Sequence, residues 1–164
     1  MIVQFSELSA LRVRHLGKSF VLGSGVFDLL HRGHIAYLKD LATHGDITVV
    51  MIKPDERVRI GKGPERPILP EEDRAAMVNA VKGVDYVLVA PSIDFRGTTI
   101  DPAYVQVIEA LKPDTFYTTN PFWRQLEPLG IKVIIGTRPA DESLRSTTAI
   151  IEHIHQRSSS KVAK

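Results

Sequence analysis

Cysteine is absent from the 164 residues. That removes disulfides, thiolate catalysis and cysteine-ligated zinc together. No apolar run approaches the roughly 20 residues that cross a bilayer. Met1 to Glu7 lack a basic segment leading into an apolar one, so no secretory signal is read and a cytoplasmic location is expected. Neither sign of charge dominates, with 21 Lys and Arg against 19 Asp and Glu, a formal net charge of +2. No basic run marks a nucleic-acid tail, so neither nucleic acid nor membrane is expected as a partner. What is present is an ordinary globular mixture, 43% hydrophobic and 24% charged, which excludes whole-chain disorder. The length fits a single core.

The chain alternates strand-like and helix-like segments. Ser6 is read as the cap of a short helix that ends near Leu16 at Gly17. Phe20-Val21-Leu22 is a short buried strand running into Gly23-Ser24-Gly25. A helix from Gly33 to about Thr43 precedes the second strand, Ile47 to Ile52, apolar enough to be covered on both faces. Lys53 to Leu69 reads as a long polar loop, a kind that is usually mobile or functional. Further helices are expected from Pro70, from Asp101-Pro102 to Leu111, around Phe122 to Pro128 and from Ser146 to about His155. Val84 to Val89, Thr115 to Tyr117 and Ile131 to Ile135 are the remaining strands. This alternation predicts βαβ units and a parallel sheet, with ligand sites at the carboxyl ends of its strands. Residues 1–156 form the domain and 157–164 a flexible tail.

Three segments carry chemistry. Gly23 to His34 follows the first strand and opens a helix, with His31 and His34 three residues apart around Gly33. Glycines let a backbone approach a ligand, and a helix start offers N–H groups to phosphate. The spacing is not the dinucleotide fingerprint, and no third ligand stands nearby for zinc. Arg145-Ser146-Thr147-Thr148 precedes the last helix and forms a second anion cradle, which Ser146 also caps. Arg57, Arg59, Lys62 and Arg66 make the long loop cationic, able to close over phosphates.

The run Gly25-Val26-Phe27-Asp28-Leu29-Leu30-His31-Arg32-Gly33-His34 resembles the signature of the cytidylyltransferase-like nucleotidyltransferases, which include glycerol-phosphate and ADP-heptose-forming members. Lys62-Gly63 matches the family's mobile-loop lysine, Arg66-Pro67-Ile68 and Arg74 its stretch into strand three, and Ser146-Thr147-Thr148 its C-terminal motif. The resemblance implies a single doubly wound Rossmann-like α/β domain with sheet order 3-2-1-4-5. It implies transfer of a nucleotidyl group from CTP or ATP to a small phosphate- or phosphonate-bearing acceptor, with release of pyrophosphate. His31, His34 and Lys62 would be catalytic. Gly25, Val26, Phe27, Asp28, Gly33, Ser146, Thr147 and Thr148 would bind nucleotide, with either Arg138 or Arg145 as the family arginine. Magnesium would be held through the phosphates, with no dedicated protein metal site, and a homodimer is expected.

Thr118-Thr119-Asn120 stands where relatives often carry Gly-Gly-Asp or Gly-Asp-Asp. Arg74, Thr118, Asn120 and Trp123 are therefore the candidates for an acceptor or base pocket. A class I aminoacyl-tRNA synthetase shares the two-histidine motif, but no tRNA-binding domain or lysine-rich second signature is visible. A degenerate relative that binds nucleotide as a sensor or scaffold is the other reading.

Overall fold

The computed structural model describes residues 1–93, 100–137 and 146–162. A five-stranded sheet has the order β3-β2-β1-β4-β5, as expected. Its strands are β1 (Phe20–Gly25), β2 (Ile47–Ile52), β3 (Tyr86–Val89), β4 (Thr115–Thr118) and β5 (Lys132–Ile135). All neighbouring strands are parallel. β1 is central, and its register with β2 runs from Phe20↔Ile47 to Gly25↔Ile52.

Alternation along the strands feeds two cores. Leu22, Val49, Met51 and Phe116 pack with Leu11 of α1 (Leu8–Arg14) and Tyr104, Val107 and Leu111 of α5 (Pro102–Leu111). Val21, Val50 and Ile52 point the other way, toward Leu38 and Leu41 of α2 (Arg32–Leu41) and Ala75 and Val78 of α4 (Glu71–Asn79). Both faces are thus covered, which is why β2 reads as an uninterrupted apolar run. Asp101 caps α5 as its sequence signalled, its carboxylate accepting from the Ala103 N–H at 3.1 Å.

Some boundaries differ from expectation. Ser6 does not cap the first helix; a 3₁₀ turn (Phe5–Glu7) leads into α1, and Glu7 reaches back to accept from the Gln4 N–H at 2.6 Å. The stretch 53–69 is not all loop, because Asp55–Lys62 forms a helix, α3. Asp55 and Glu56 sit in its positive first turn, and Arg59 pairs with Asp55 one turn away at 3.4 Å. Val58 is its one buried residue, so no apolar periodicity announced it. The segment Pro121–Leu129 is 3₁₀ rather than α. The last helix, α6 (Thr147–Val162), passes the predicted end at His155.

Arg74 on α4 has no exposed surface. Its Nε donates to the Leu69 carbonyl at 3.0 Å, and Nη2 to the Lys53 carbonyl at 2.8 Å and Asp55 Oδ1 at 2.7 Å. Nη1 donates to the Val26 carbonyl. One guanidinium therefore ties the chain leaving β1, the chain leaving β2 and the entry to α4. Removing it takes a donor from three carbonyls and leaves the Asp55 carboxylate with Arg59 at 3.4 Å. Arg74→Ala should cost about 3–5 kcal/mol, a fall in melting temperature on the order of 10 °C for a chain of this size. Thermal denaturation checks this, and a melting temperature unchanged within about 2 °C would contradict it.

Candidate active site at the carboxyl end of strand one

The chain leaving β1 folds back on itself through Phe27 (φ 54°) and Leu29 (φ 45°), both in the left-handed region. Such a conformation costs a bulky residue on the order of 1–3 kcal/mol and persists only where the surroundings fix it. Asp28, between them, is 1% exposed. Its carboxylate accepts from the N–H groups of Ile68 and Leu69, each at 3.0 Å, and from Arg66 Nε at 3.1 Å. Burial opposes its charge, but these two N–H groups and the Arg66 guanidinium hold the carboxyl below its usual range. The Asp28 carbonyl accepts from Thr147 Oγ1 at 2.7 Å, docking the start of α6 against the loop. The Phe27 ring lies across Gly25, where a Cβ would stand 2.7 Å from Phe27 Cε2, so only glycine fits.

His31 caps α2, its Nδ1 accepting from the Gly33 N–H at 3.1 Å. That leaves the proton of the neutral ring on Nε2. The His34 ring stacks on His31 with centroids 3.8 Å apart and meets the edge of Phe27 at 5.3 Å. His34 Nδ1 is buried without a hydrogen-bond partner among the described residues. A bare lone pair there is cheaper than an unsatisfied N–H, so this proton too belongs on Nε2. Burial, then the neighbouring His31 and Lys62, push His34 down to about 3. Burial likewise lowers His31. The pair is therefore neutral near pH 7 and offers two N–H donors.

A cavity of about 850 Å³ opens here. Gly25, Val26, Phe27, His31, Gly33, His34, Lys62, Ser146, Thr147 and Thr148 all line it. Lys62 arrives as the last residue of α3. Ser146 caps the start of α6, its Oγ accepting from the Ala149 N–H at 3.1 Å. Asp28 does not line the cavity; it lies beneath the loop and holds it.

The candidates for an acceptor or base pocket are placed elsewhere. Arg74 is consumed by the interior contacts described above. Thr118 is buried, with Oγ1 accepting from the Asn120 N–H at 3.1 Å. Asn120 turns to its own helix, Oδ1 accepting from the Phe122 N–H at 3.0 Å. Trp123 stacks on Tyr104 at 4.1 Å as part of the core. Arg138 and Arg145 lie outside the described residues.

Thr119, within the Thr118-Thr119-Asn120 departure, lines the cavity, and so do residues that sequence reading passed over: Tyr37 and Asp40 on α2, Tyr117 at the end of β4, Thr137, and Glu152 on α6. The signal for Tyr37 and Asp40 was available, because with Gly33 they follow the i, i+4, i+7 stripe of one helix face. No helix among the described residues is long and apolar enough to cross a membrane.

The family model described as cytidylyltransferase-like matches residues 22–164, from within β1 through every element after it. The chain belongs to the cytidylyltransferase-like family. It is a nucleotidyltransferase by that membership, and the family acts on a nucleoside triphosphate. The bifunctional protein HldE of Desulfatibacillum aliphaticivorans is 37% identical over 147 residues, covering 87% of this chain and 28% of that protein. HldE of Helicobacter pylori (strain G27) is 36% identical over 149 residues, covering 87% and 29%. The chain thus spans under a third of the length of these curated relatives. A crystal structure of the lipopolysaccharide core biosynthesis protein from Thermoplasma volcanium GSS1 matches with a TM-score of 0.60 at 28% identity, covering 75% of this chain and 99% of that one. Pantoate-beta-alanine ligase from Francisella tularensis, at 13% identity and a TM-score of 0.63 over 87% of this chain and 69% of its own, shares the fold.

The lowered His34 of this cytidylyltransferase-like chain makes a pH prediction. Unfolded, an imidazole binds its proton near pH 6.5; folded, His34 does so only near pH 3. Between these values the unfolded state holds more protons, so stability rises with pH from about 3 to 6.5 and is complete above. His34→Gln should flatten that slope in melting temperature against pH. An unchanged slope would show that His34 is not held neutral.

Proposed function

We propose that this chain transfers the nucleotidyl group of a nucleoside triphosphate, ATP before CTP, to a small phosphorylated acceptor, a sugar phosphate before a polyol phosphate or phosphonate. The observation that carries the reading is the meeting of two neutral histidine N–H donors, the Lys62 ammonium and the start of α6 around one cavity at the end of β1. The kinship to HldE and to a lipopolysaccharide core biosynthesis protein supports ATP and a sugar phosphate.

In this reading an acceptor phosphate oxygen attacks the α-phosphorus. The bond from that phosphorus to the α,β-bridging oxygen breaks, and pyrophosphate leaves with the electron pair. The acceptor oxygen is already anionic, so no general base is required. The work left to the protein is positioning and neutralising charge on the phosphoryl oxygens. His31 and His34 donate through Nε2 to the α- and β-phosphates, where charge builds. Lys62 adds a full charge at the same centre. The α6 start, with Ser146 and Thr148, holds the β,γ end through its free N–H groups. Magnesium would enter on the phosphates: no group of three His, Asp or Glu side chains able to hold a metal ion occurs among the described residues. When bound, it supplies neutralisation of phosphate charge and keeps its remaining sites for water.

An anionic acceptor would find a further cation in the residue that follows β2. Burial pushes the Lys53 ammonium below its usual range; Asp101 opposes this, and Arg57 and Lys62 add to it. The Lys53 backbone N–H donates to the Gly25 carbonyl at 3.0 Å, which joins the chain leaving β2 to the end of β1. The reading includes a homodimer, for which light scattering at micromolar concentration is the test.

A pyrophosphate-release assay crossing ATP and CTP with sugar, polyol and phosphonate acceptors tests the activity. His34→Ala should lower turnover by roughly 10²–10³, as loss of one preorganised donor does, with a smaller effect on nucleotide affinity. Near-normal turnover in the folded variant would remove His34 from the chemistry. Binding of triphosphate with no release for any acceptor would make the chain a nucleotide sensor instead.

A further inference from the structure

The cavity extends beyond what a phosphate chain occupies. On α2, seven residues separate Gly33 from Asp40, about 10 Å along one stripe of the helix. On α6, Glu152 lies one turn, about 6 Å, beyond Thr148. The cavity is therefore dipolar: histidines, Lys62 and helix starts at one end, the Asp40 and Glu152 carboxylates at the other.

The hydroxyl protons at the acidic end are already directed. Tyr37 Oη donates to the Tyr117 carbonyl at 3.0 Å, and Tyr117 Oη donates to Asp40 Oδ2. Burial, then the hydrogen bond and charge of Asp40, raise the Tyr117 phenol, so it stays protonated and keeps donating. The His44 ring stacks on Tyr117 with centroids 5.1 Å apart. The chain is shaped for this contact: a Cβ at position 136 would stand 1.8 Å from Tyr117 Oη, so Gly136 is what lets Tyr117 reach Asp40.

The contact uses one of roughly four lone-pair positions on the carboxylate. Asp40 Oδ1 stands 3.7 Å from His44 Nε2, beyond hydrogen-bond length, and the side chain is 50% exposed. An anchored carboxylate is thus offered to the cavity as an acceptor. It repels a further phosphate and suits an uncharged group rich in donors. The segment after β4, where relatives often carry an aspartate, offers no carboxylate, and Asn120 is turned to its helix.

Building on the nucleotide reading, we propose that Asp40, positioned by Tyr117, accepts hydrogen bonds from the ribose hydroxyls of the bound nucleotide and so selects ribonucleotides. The phosphates lie toward His31 and His34, and the sugar lies between α2 and α6. Tyr117 acts through Asp40 and is a positioning residue.

Calorimetric titration of the full chain with ATP, CTP and their 2′-deoxy and 3′-deoxy forms tests this, with ITP and UTP as partners that lack the base amine. The native chain should bind at least one deoxy form about 10-fold or more weakly than the parent, the scale of a hydrogen bond to a charged group. Asp40→Ala should bring ribo and deoxy forms within about twofold, whatever happens to absolute affinity. Asp40→Asn keeps the side chain's shape and should retain only part of the discrimination; it carries the test should Asp40→Ala fail to fold. Tyr117→Phe should also reduce the ratio, by less than Asp40→Ala. Equal binding of ribo and deoxy forms by the native chain overturns the proposal. So does full discrimination in both Asp40 variants, or a loss confined to the ITP and UTP comparison, which would assign Asp40 to the base. If the native chain binds no triphosphate and releases no pyrophosphate, the nucleotide reading fails first.

Discussion

The buried carboxylate of Asp28 is the constraint on which the site depends. It sits between two residues in the left-handed region, so the loop after β1 has no low-energy reason to hold its shape by itself. Its oxygens gather two backbone N–H groups and Arg66 from the chain between α3 and α4, while its carbonyl takes the Thr147 hydroxyl of α6. Two stretches distant in sequence are thereby fixed against one residue. Arg74 closes the same assembly from beneath through the Val26 and Lys53 carbonyls. Polar groups this deeply buried are costly unless every partner is present, so the assembly forms as a unit.

The sheet makes that assembly useful. With β1 central and the order reversing between β1 and β4, the loops after β1 and β4 diverge and leave a crevice. α2 and α6 both begin at the mouth of the crevice, so their positive ends converge on it. The carboxylates of Asp40 and Glu152 lie further along the same two helices. The cavity's polarity follows from where two helices start and what their next turns carry.

The five strands and the two-histidine segment were legible in the sequence because apolar runs and a glycine turn are local signals, whereas the order of the strands came from the family resemblance. The β1 loop, His31, His34 and the Ser146 to Thr148 start of α6 were found for that reason. What could not be read was the direction of polar side chains. Arg74, Asn120 and Trp123 carry residue types suited to a binding pocket, yet Arg74 serves the interior, Asn120 a cap and Trp123 a core stack. Burial and capping use the same chemistry as recognition, and only the position of the neighbouring element separates them. α3 was missed because a helix with one buried residue has no periodicity to show. The place of Asp40 on the Gly33 stripe of α2 was legible, but its anchoring was not, since Tyr117 is 77 residues away in sequence.

The charge state of the site bears on how binding is divided between substrate and transition state. Two imidazolium rings stacked 3.8 Å apart would repel each other and would grip the triphosphate strongly in its ground state. Neutral rings avoid both. In the proposed reaction, Nε2–H donors would interact moderately with a resting phosphate and more strongly as charge collects on the oxygens in flight, which is the difference that accelerates a reaction. Among the described residues of the lining, the full positive charge comes from Lys62, at the carbonyl end of α3, where the helix itself favours a cation. Burial is what first holds His34 neutral, and it leaves Nδ1 without a hydrogen-bond partner among the described residues, a cost in stability that a partnered position would not carry. That cost falls where the family resemblance places catalysis and the cavity opens, as a functional constraint on the residue requires.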